Sequence, residues 1–305
     1  MLSNQIIIYD LEMKTYQQLW QSITTLYEAG EAQAIVRTVL DVKYGMTLTD
    51  IICGKVNELS ADEERKLEEI IRRLQKGEPV QYVLGEAYFA GRTFHVEPGV
   101  LIPRPETAEL CEWIEKDVTE SKGITEGEKE ENTIRILDIC TGSGCIAITL
   151  GLNIGGSEVT GWDISEDALK IAQGNVALQD AGNVKIGYQD ALKLAETSDA
   201  GRWNIIVSNP PYICEKEKAE MEKNVLDYEP DLALFVPDEN PLKFYRAIAE
   251  FASTELRSRG LLYFEINPLY EKETREMLEG FGFEDIETKE DSFGKKRMMR
   301  AIKMY

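Results

Sequence analysis

From Ile134 to the C-terminus, apolar runs of strand length alternate with segments of helical periodicity, and this alternation narrows the possible folds more than any other feature. Ile134 to Ile139 is mainly apolar, Cys145 to Leu152 suits a helix, Val159-Thr160-Gly161-Trp162 a strand, and Asp167 to Leu178 a second helix. Further strands are expected at Val184 to Tyr188, Asn204 to Ser208 and Leu261 to Glu265, helices at Leu242 to Phe251 and Tyr270 to Leu278, and a last strand over Arg297 to Tyr305. Strands separated by helices return to the same end of a sheet, so an α/β fold with a parallel, doubly wound sheet is predicted. The cluster Lys295, Lys296, Arg297 and Arg300 reads as a basic patch or, equally well, as the charged, blunted edge of that sheet.

Ahead of this half the period is helical. Tyr16, Leu19, Trp20, Ile23, Leu26 and Tyr27 form one apolar stripe, with Gly30 expected to stop the helix. Ile35, Val36, Val39 and Leu40 form a second, and Leu67, Ile70, Ile71 and Leu74 a third, with Ser60 and Glu63 as a capping box and Gly77 as the stop. Residues 1–80 are therefore read as a small helical bundle whose stripes pack on one another. Tyr88-Phe89 and Thr93-Phe94-His95-Val96 flank Gly91 as a hairpin, making 81–105 a β-hairpin linker and 106–305 the α/β domain. A length of 305 residues suits two domains. Residues 120 to 132, with Glu126, Glu128, Glu130 and Glu131, have no apolar period and read as a solvated loop.

With 34 basic against 55 acidic residues, the formal charge of −21 opposes nonspecific attraction to nucleic-acid phosphates or anionic membranes. Duplex DNA is not expected as a direct partner, nor a membrane. The N-terminal residues lack the pattern of a signal peptide and no apolar run reaches spanning length, so a cytoplasmic location is expected. Five cysteines without C-x-x-C spacing and the single His95 argue against a disulfide framework, a zinc site and Ser-His or Cys-His chemistry. His95 itself reads as a strand-surface or internally satisfied histidine.

Three strand ends carry acids. Asp163 ends the second strand, where a carboxylate can accept from both hydroxyls of a ribose; Asp190 follows the third, within reach of an adenine amino group; Asp138 precedes the loop Cys140-Thr141-Gly142-Ser143-Gly144, to position either that loop or the charged end of a ligand. The loop opens a helix, and its glycines permit close backbone approach, although it is not G-x-G-x-x-G. Singly, each acid is as well explained as a cap or solvated loop residue. At the fourth strand end stands Asn209-Pro210-Pro211-Tyr212. As a bare Pro-Pro turn it would be ordinary, but its prolines stiffen a segment in which Asn209 Oδ1 and the Pro210 carbonyl accept from an –NH2 and Tyr212 stacks beside it. An adenosine site without polyphosphate contacts, next to an amino-group pocket, points to S-adenosylmethionine and methyl transfer to nitrogen.

Val207-Ser208-Asn209-Pro210-Pro211-Tyr212-Ile213, Val100-Leu101-Ile102-Pro103-Arg104-Pro105-Glu106-Thr107 and Asp138 through Gly144 resemble the signatures of the release factor glutamine methyltransferases. Similarity extends over Gly77-Glu78-Pro79 to Gly91 and Glu229-Pro230. The resemblance implies an N-terminal helical bundle, a hairpin linker and a Rossmann-like S-adenosylmethionine-dependent methyltransferase domain. It implies as substrate the glutamine of the Gly-Gly-Gln loop in class-1 peptide-chain release factors, docked by the bundle. By position it assigns Cys140 to Gly144, Asp163 and Asn209 to the cofactor, and Asn209 to Tyr212 to the glutamine; with the strand-end reading, Asp138, Asp190 and Ala191 join the cofactor set, Asn209, Pro210 and Tyr212 are expected to be catalytic, and no metal is called for. Three positions depart from the family pattern: Cys140 and Asn267 where glycine is usual, and Ala191 where an aromatic often covers the adenine. A nucleic-acid adenine methyltransferase would use the same turn but calls for a basic target-recognition region; a noncatalytic cofactor-binding module would be expected to have lost Asn209 or an acid.

Overall fold

The computed structural model describes residues 15–120, 133–194 and 201–304, and they divide into two compact units after Leu84. The acidic segment read as a solvated loop lies, from residue 121 on, outside the described residues.

The smaller unit is helical: α1 (Tyr16–Gln21), α2 (Ala29–Tyr44), α3 (Leu48–Ile52), α4 (Ala61–Leu74) and α5 (Val80–Leu84). Leu19, Ile23, Val36, Val39, Leu40, Leu67, Ile71 and Leu74 form one buried cluster, so the three apolar stripes do pack on each other. The capping box closes as expected, with Ser60 N donating to Glu63 Oε2 at 2.8 Å and Glu63 N to Ser60 Oγ at 3.4 Å; such caps contribute about 1 kcal/mol. Gly77, at φ +84°, gives α4 its turn outward. Gly30 is not a stop: it lies in the first turn of α2, and α1 ends at Gln21 with Ser22 as its C-cap. Beyond it the chain continues in tight turns, with Ile23 N bonded to Trp20 O and Leu26 N to Ile23 O, which keeps Ile23 and Tyr27 on the buried side without an α-helix.

The larger unit begins with a hairpin, β1 (Glu86–Phe89) and β2 (Arg92–His95), whose Ala90 (φ +46°) and Gly91 (φ +82°) supply the left-handed pair a two-residue turn needs. It belongs to this compact unit. Phe89 and Phe94 meet edge-on at 5.9 Å and lie in the same buried cluster as Ile114 and Ile146. After it come α6 (Pro105–Glu120), β3 (Ile134–Ile139), α7 (Cys145–Asn153), β4 (Ser157–Asp163), α8 (Glu166–Leu178), β5 (Val184–Tyr188), β6 (Trp203–Ser208), β7 (Ile213–Cys214), α9 (Lys223–Tyr228), α10 (Asp231–Leu234), β8 (Phe235–Val236), α11 (Lys243–Glu255), β9 (Leu256–Glu265), α12 (Glu271–Gly280), β10 (Phe283–Glu290) and β11 (Lys296–Lys303). Asn175 of α8 clamps β2: Oδ1 accepts from His95 N at 2.8 Å, and Nδ2 donates to His95 O at 3.0 Å and Ser143 O at 2.9 Å. His95 is surface-exposed, its Nδ1 2.9 Å from Gly85 O.

Seven strands form one sheet in the order β10-β11-β9-β6-β3-β4-β5. The central strands carry apolar residues on both faces because both faces are covered. On β6, Ile205 and Val207 join one buried cluster and Ile206 the other; on β9, Tyr263 and Phe264 divide in the same way. β3, β4, β5, β6 and β9 are parallel, but β11 runs antiparallel to both of its neighbours, so the sheet is mixed and not wholly parallel. The short turn 291–295 joining β10 to β11 permits nothing else. β10 is the edge, not β11. Its sequence is too charged to read as a strand, and Arg297 and Arg300 on β11 are taken up by Asp291, Asp117 and Glu287 instead of forming a basic patch.

Candidate functional site

Register places the site. Ile139 pairs with Trp162 on one side and Ser208 on the other, and Asp163 pairs with Tyr188, so the C-terminal ends of β3, β4, β5 and β6 form one rim. There a cavity of about 240 Å³ is lined by Cys140, Thr141, Gly142, Ser143, Asp163, Asp190, Ala191, Asn209 and Pro211, with the strap Gly99 to Arg104 and Phe244 completing the wall. A second cavity, of about 250 Å³, is lined by Tyr212, Ile213, Met221, Val225, Leu234 and Glu265 and shares Leu101, Arg104, Asn209 and Ala233 with the first.

The glycine loop is held from below. Asp138 is fully buried; its Oδ2 accepts from Thr141 Oγ1 at 2.6 Å and Ala147 N at 3.2 Å, and burial pushes its carboxyl up to about 7. It braces the loop and does not line the cavity. Gly144 does not line it either: a Cβ there would stand 3.1 Å from Ile148 Cδ1 and 3.3 Å from Ala172 Cβ, so this glycine lets α7 pack on α8. Cys140 adopts φ +63°, the left-handed region in which glycine is unstrained.

Asp163 faces the cavity. Its Oδ2 accepts from Gly142 N and its Oδ1 from Ser165 N, both at 2.9 Å, and burial raises its pKa against backbone hydrogen bonds from Ser165, Gly142 and Ile164. A carboxylate offers about four acceptor positions, so room remains for a hydroxyl in the cavity. Asp190 Oδ1 accepts from Leu192 N at 2.9 Å and Lys193 Nζ lies 3.3 Å from Oδ2. Ala191 is buried in the wall, and the aromatic among the lining residues is Phe244, at the start of α11.

Asn209 lies between the two cavities. Its Nδ2 donates to Thr107 Oγ1 at 3.2 Å. Pro211 lines the first cavity and Tyr212 the second, whereas Pro210 is buried and lines neither. The turn is anchored by residues that pattern reading left without a role. Thr107 Oγ1 donates to Glu265 Oε2 at 2.6 Å, Tyr212 OH donates to Glu265 Oε1 at 2.9 Å, and Arg297 donates to Tyr212 OH at 3.2 Å. Asn267 Nδ2 donates to the Tyr212 carbonyl at 3.1 Å, work that a glycine here would not do. Arg104 and the buried Glu229 pair across the strap, and Glu229 also accepts from Ile102 N at 3.1 Å. The blocks Pro103-Arg104-Pro105 and Glu229-Pro230 thus meet in space; neither has a spacing that would announce it.

A family model described as Methyltransferase small domain matches residues 125–227, and one described as PrmC N-terminal domain matches residues 17–85. A release factor glutamine methyltransferase of Bacteroides thetaiotaomicron is 48% identical over 281 residues, covering 92% of this chain and 96% of its own. Those of Flavobacterium psychrophilum and Streptococcus pneumoniae are 38% and 37% identical, covering 95% and 90% of this chain and 98% and 93% of their own. The chain belongs to the release factor glutamine methyltransferase family. It is accordingly a methyltransferase that uses S-adenosylmethionine. The cavity suits that cofactor: a carboxylate with room for a hydroxyl ends β4, apolar walls at Ile164, Ala191 and Phe244 suit a flat base, and Gly142 presents bare backbone. No helix among the described residues is long and apolar enough to cross a membrane.

Proposed function

We propose that this enzyme methylates the side-chain amide nitrogen of the glutamine in the Gly-Gly-Gln loop of class-1 peptide-chain release factors. The observation that carries this reading is the place of Asn209, in the wall common to the two cavities, with its –NH2 already committed to Thr107. That leaves Oδ1 to accept from an incoming –NH2. S-Adenosylmethionine in the first cavity supplies an electrophilic sulfonium methyl.

An amide nitrogen is a poor nucleophile because its lone pair is delocalised into the carbonyl, so rate comes from alignment and from stabilising charge as it develops. Asn209 does both, accepting a hydrogen bond that strengthens as the nitrogen becomes positive. The prolines hold the turn stiff, and Tyr212 gives the second cavity an aromatic wall for the amide plane. No side-chain base is required, since the product nitrogen is acidic enough to lose its proton to water. In the first cavity Asp163 would hold the ribose, Asp190 and Ala191 would border the adenine, and the loop 140–143 would receive the methionyl end.

The helical unit docks the release factor, in the cytoplasm. Mass spectrometry of a purified release factor after incubation with the enzyme and S-adenosylmethionine is the test. One added methyl on the Gly-Gly-Gln glutamine is expected; an unmodified glutamine, or a methyl elsewhere, would overturn the reading.

A further inference from the structure

Asn209 can present its amide in either of two senses, with oxygen or nitrogen toward the second cavity, and only one makes it an acceptor for substrate. Its own backbone does not choose. The choice is made by proton polarity in the buried chain behind it. Glu265 is 2% exposed and receives two hydroxyls, Thr107 on one oxygen at 2.6 Å and Tyr212 on the other at 2.9 Å. Burial raises the Glu265 carboxyl, while the Thr107 and Tyr212 hydroxyls and Arg297 oppose that rise and favour the carboxylate, which accepts and does not donate. The single proton of Thr107 is therefore committed to Glu265, and Thr107 Oγ1 has only lone pairs to offer Asn209, 3.2 Å away. Asn209 must turn its Nδ2 to Thr107, and Oδ1 faces the other way. At the far end, Tyr212 keeps its proton because burial and Glu265 hold the phenol well above its ordinary pKa, and Arg297 closes the chain by donating to the phenol oxygen at 3.2 Å.

We propose that Thr107 and Glu265 are positioning residues which, by a one-way chain of hydrogen bonds, fix the amide sense of Asn209 and the ring of Tyr212 and so make the turn a hydrogen-bond acceptor for the substrate –NH2. The proposal rests on the Asn209 role given above. It explains why a buried carboxylate borders the second cavity of a site that needs no base. It also ties α6 and β9, far apart in sequence, to one function.

The test is single-turnover methylation of a release factor by full-length Thr107→Val, Thr107→Ser and Asn209→Ala enzymes and the Thr107→Val/Asn209→Ala double variant, with cofactor affinity measured by calorimetry. Valine keeps the volume and removes the hydroxyl. Thr107→Val should slow methyl transfer by about tenfold, the worth of one hydrogen bond, with cofactor affinity and release factor KM within about threefold of wild type. Thr107→Ser should restore the rate. In the Asn209→Ala background Thr107→Val should cost almost nothing, because there is no amide left to orient. A wild-type rate in Thr107→Val, an equal defect in Thr107→Ser, or a full tenfold loss on top of Asn209→Ala would overturn the proposal. A wild-type enzyme that fails to methylate the glutamine would instead overturn the reading on which it rests.

Discussion

At the residue scale, two carboxylates at successive strand ends do different work. Asp163 lines the first cavity but also holds Gly142 N and Ser165 N. Asp163→Ala should therefore weaken S-adenosylmethionine binding by at least about 1.5–3 kcal/mol, the loss of one charged hydrogen bond, with any loop loosening added. Calorimetry measures this, and an unchanged affinity would place the ribose elsewhere. Asp138, by contrast, is a stability element with a pH signature. Its folded pKa is raised to about 7 by burial, while in the unfolded chain it ionises near the ordinary value of about 3.9. Its stabilising contribution is thus full below about pH 4 and is lost as pH rises through about 7. Asp138→Asn carries no such proton, so the stability of the variant relative to wild type should improve by about 2 kcal/mol between about pH 5.5 and about pH 8. Denaturant unfolding at both pH values checks the sign; a difference that does not vary with pH would remove the buried titration.

At the element scale, the glycine loop depends on β4 as much as on its own residues. A Cβ on Gly161 would stand 2.8 Å from Thr141 Oγ1 and 2.9 Å from Ile186 Cδ1. The Thr141 hydroxyl is the one that braces Asp138. Gly161→Ala should lower stability by about 1–3 kcal/mol and weaken cofactor binding at the same time, although residue 161 lines neither cavity. Unfolding and calorimetry on one sample decide it. Loss of stability with unaltered cofactor affinity would show that loop and strand yield independently.

At the scale of the whole molecule, every residue lining the first cavity lies after Leu84, where the second compact unit begins. An enzyme lacking residues 1–84 should bind S-adenosylmethionine with wild-type affinity while its kcat/KM on an intact release factor falls at least about tenfold, the worth of about 1.4 kcal/mol of docking. A short Gly-Gly-Gln peptide should be a poor substrate for both forms and lose little. Steady-state kinetics on the two substrates separate the outcomes, and an unaltered kcat/KM on the release factor would deny the helical unit a docking role.

What the sequence determined by itself was local. Periodicity located the strands at 134–139, 184–188 and 204–208 and the caps at Ser60 and Gly77, because burial on one or both faces leaves a period that neighbours along the chain share. The strand-end positions of Asp163, Asp190 and Asn209 followed from that order. Tertiary structure decided what depends on contacts across the chain. Whether an acid lines a cavity or braces a loop is invisible in the string, so Asp138 stood open between its loop and a ligand until the fold buried it under the loop. The charged edge strand β10 has no apolar period to announce it, and its short turn made β11 antiparallel. Thr107, Tyr212, Glu265 and Arg297 come together from α6, the turn after β6, β9 and β11, and only the folded sheet puts a buried carboxylate behind Asn209. No periodicity encodes the direction of a hydrogen bond between residues 158 positions apart.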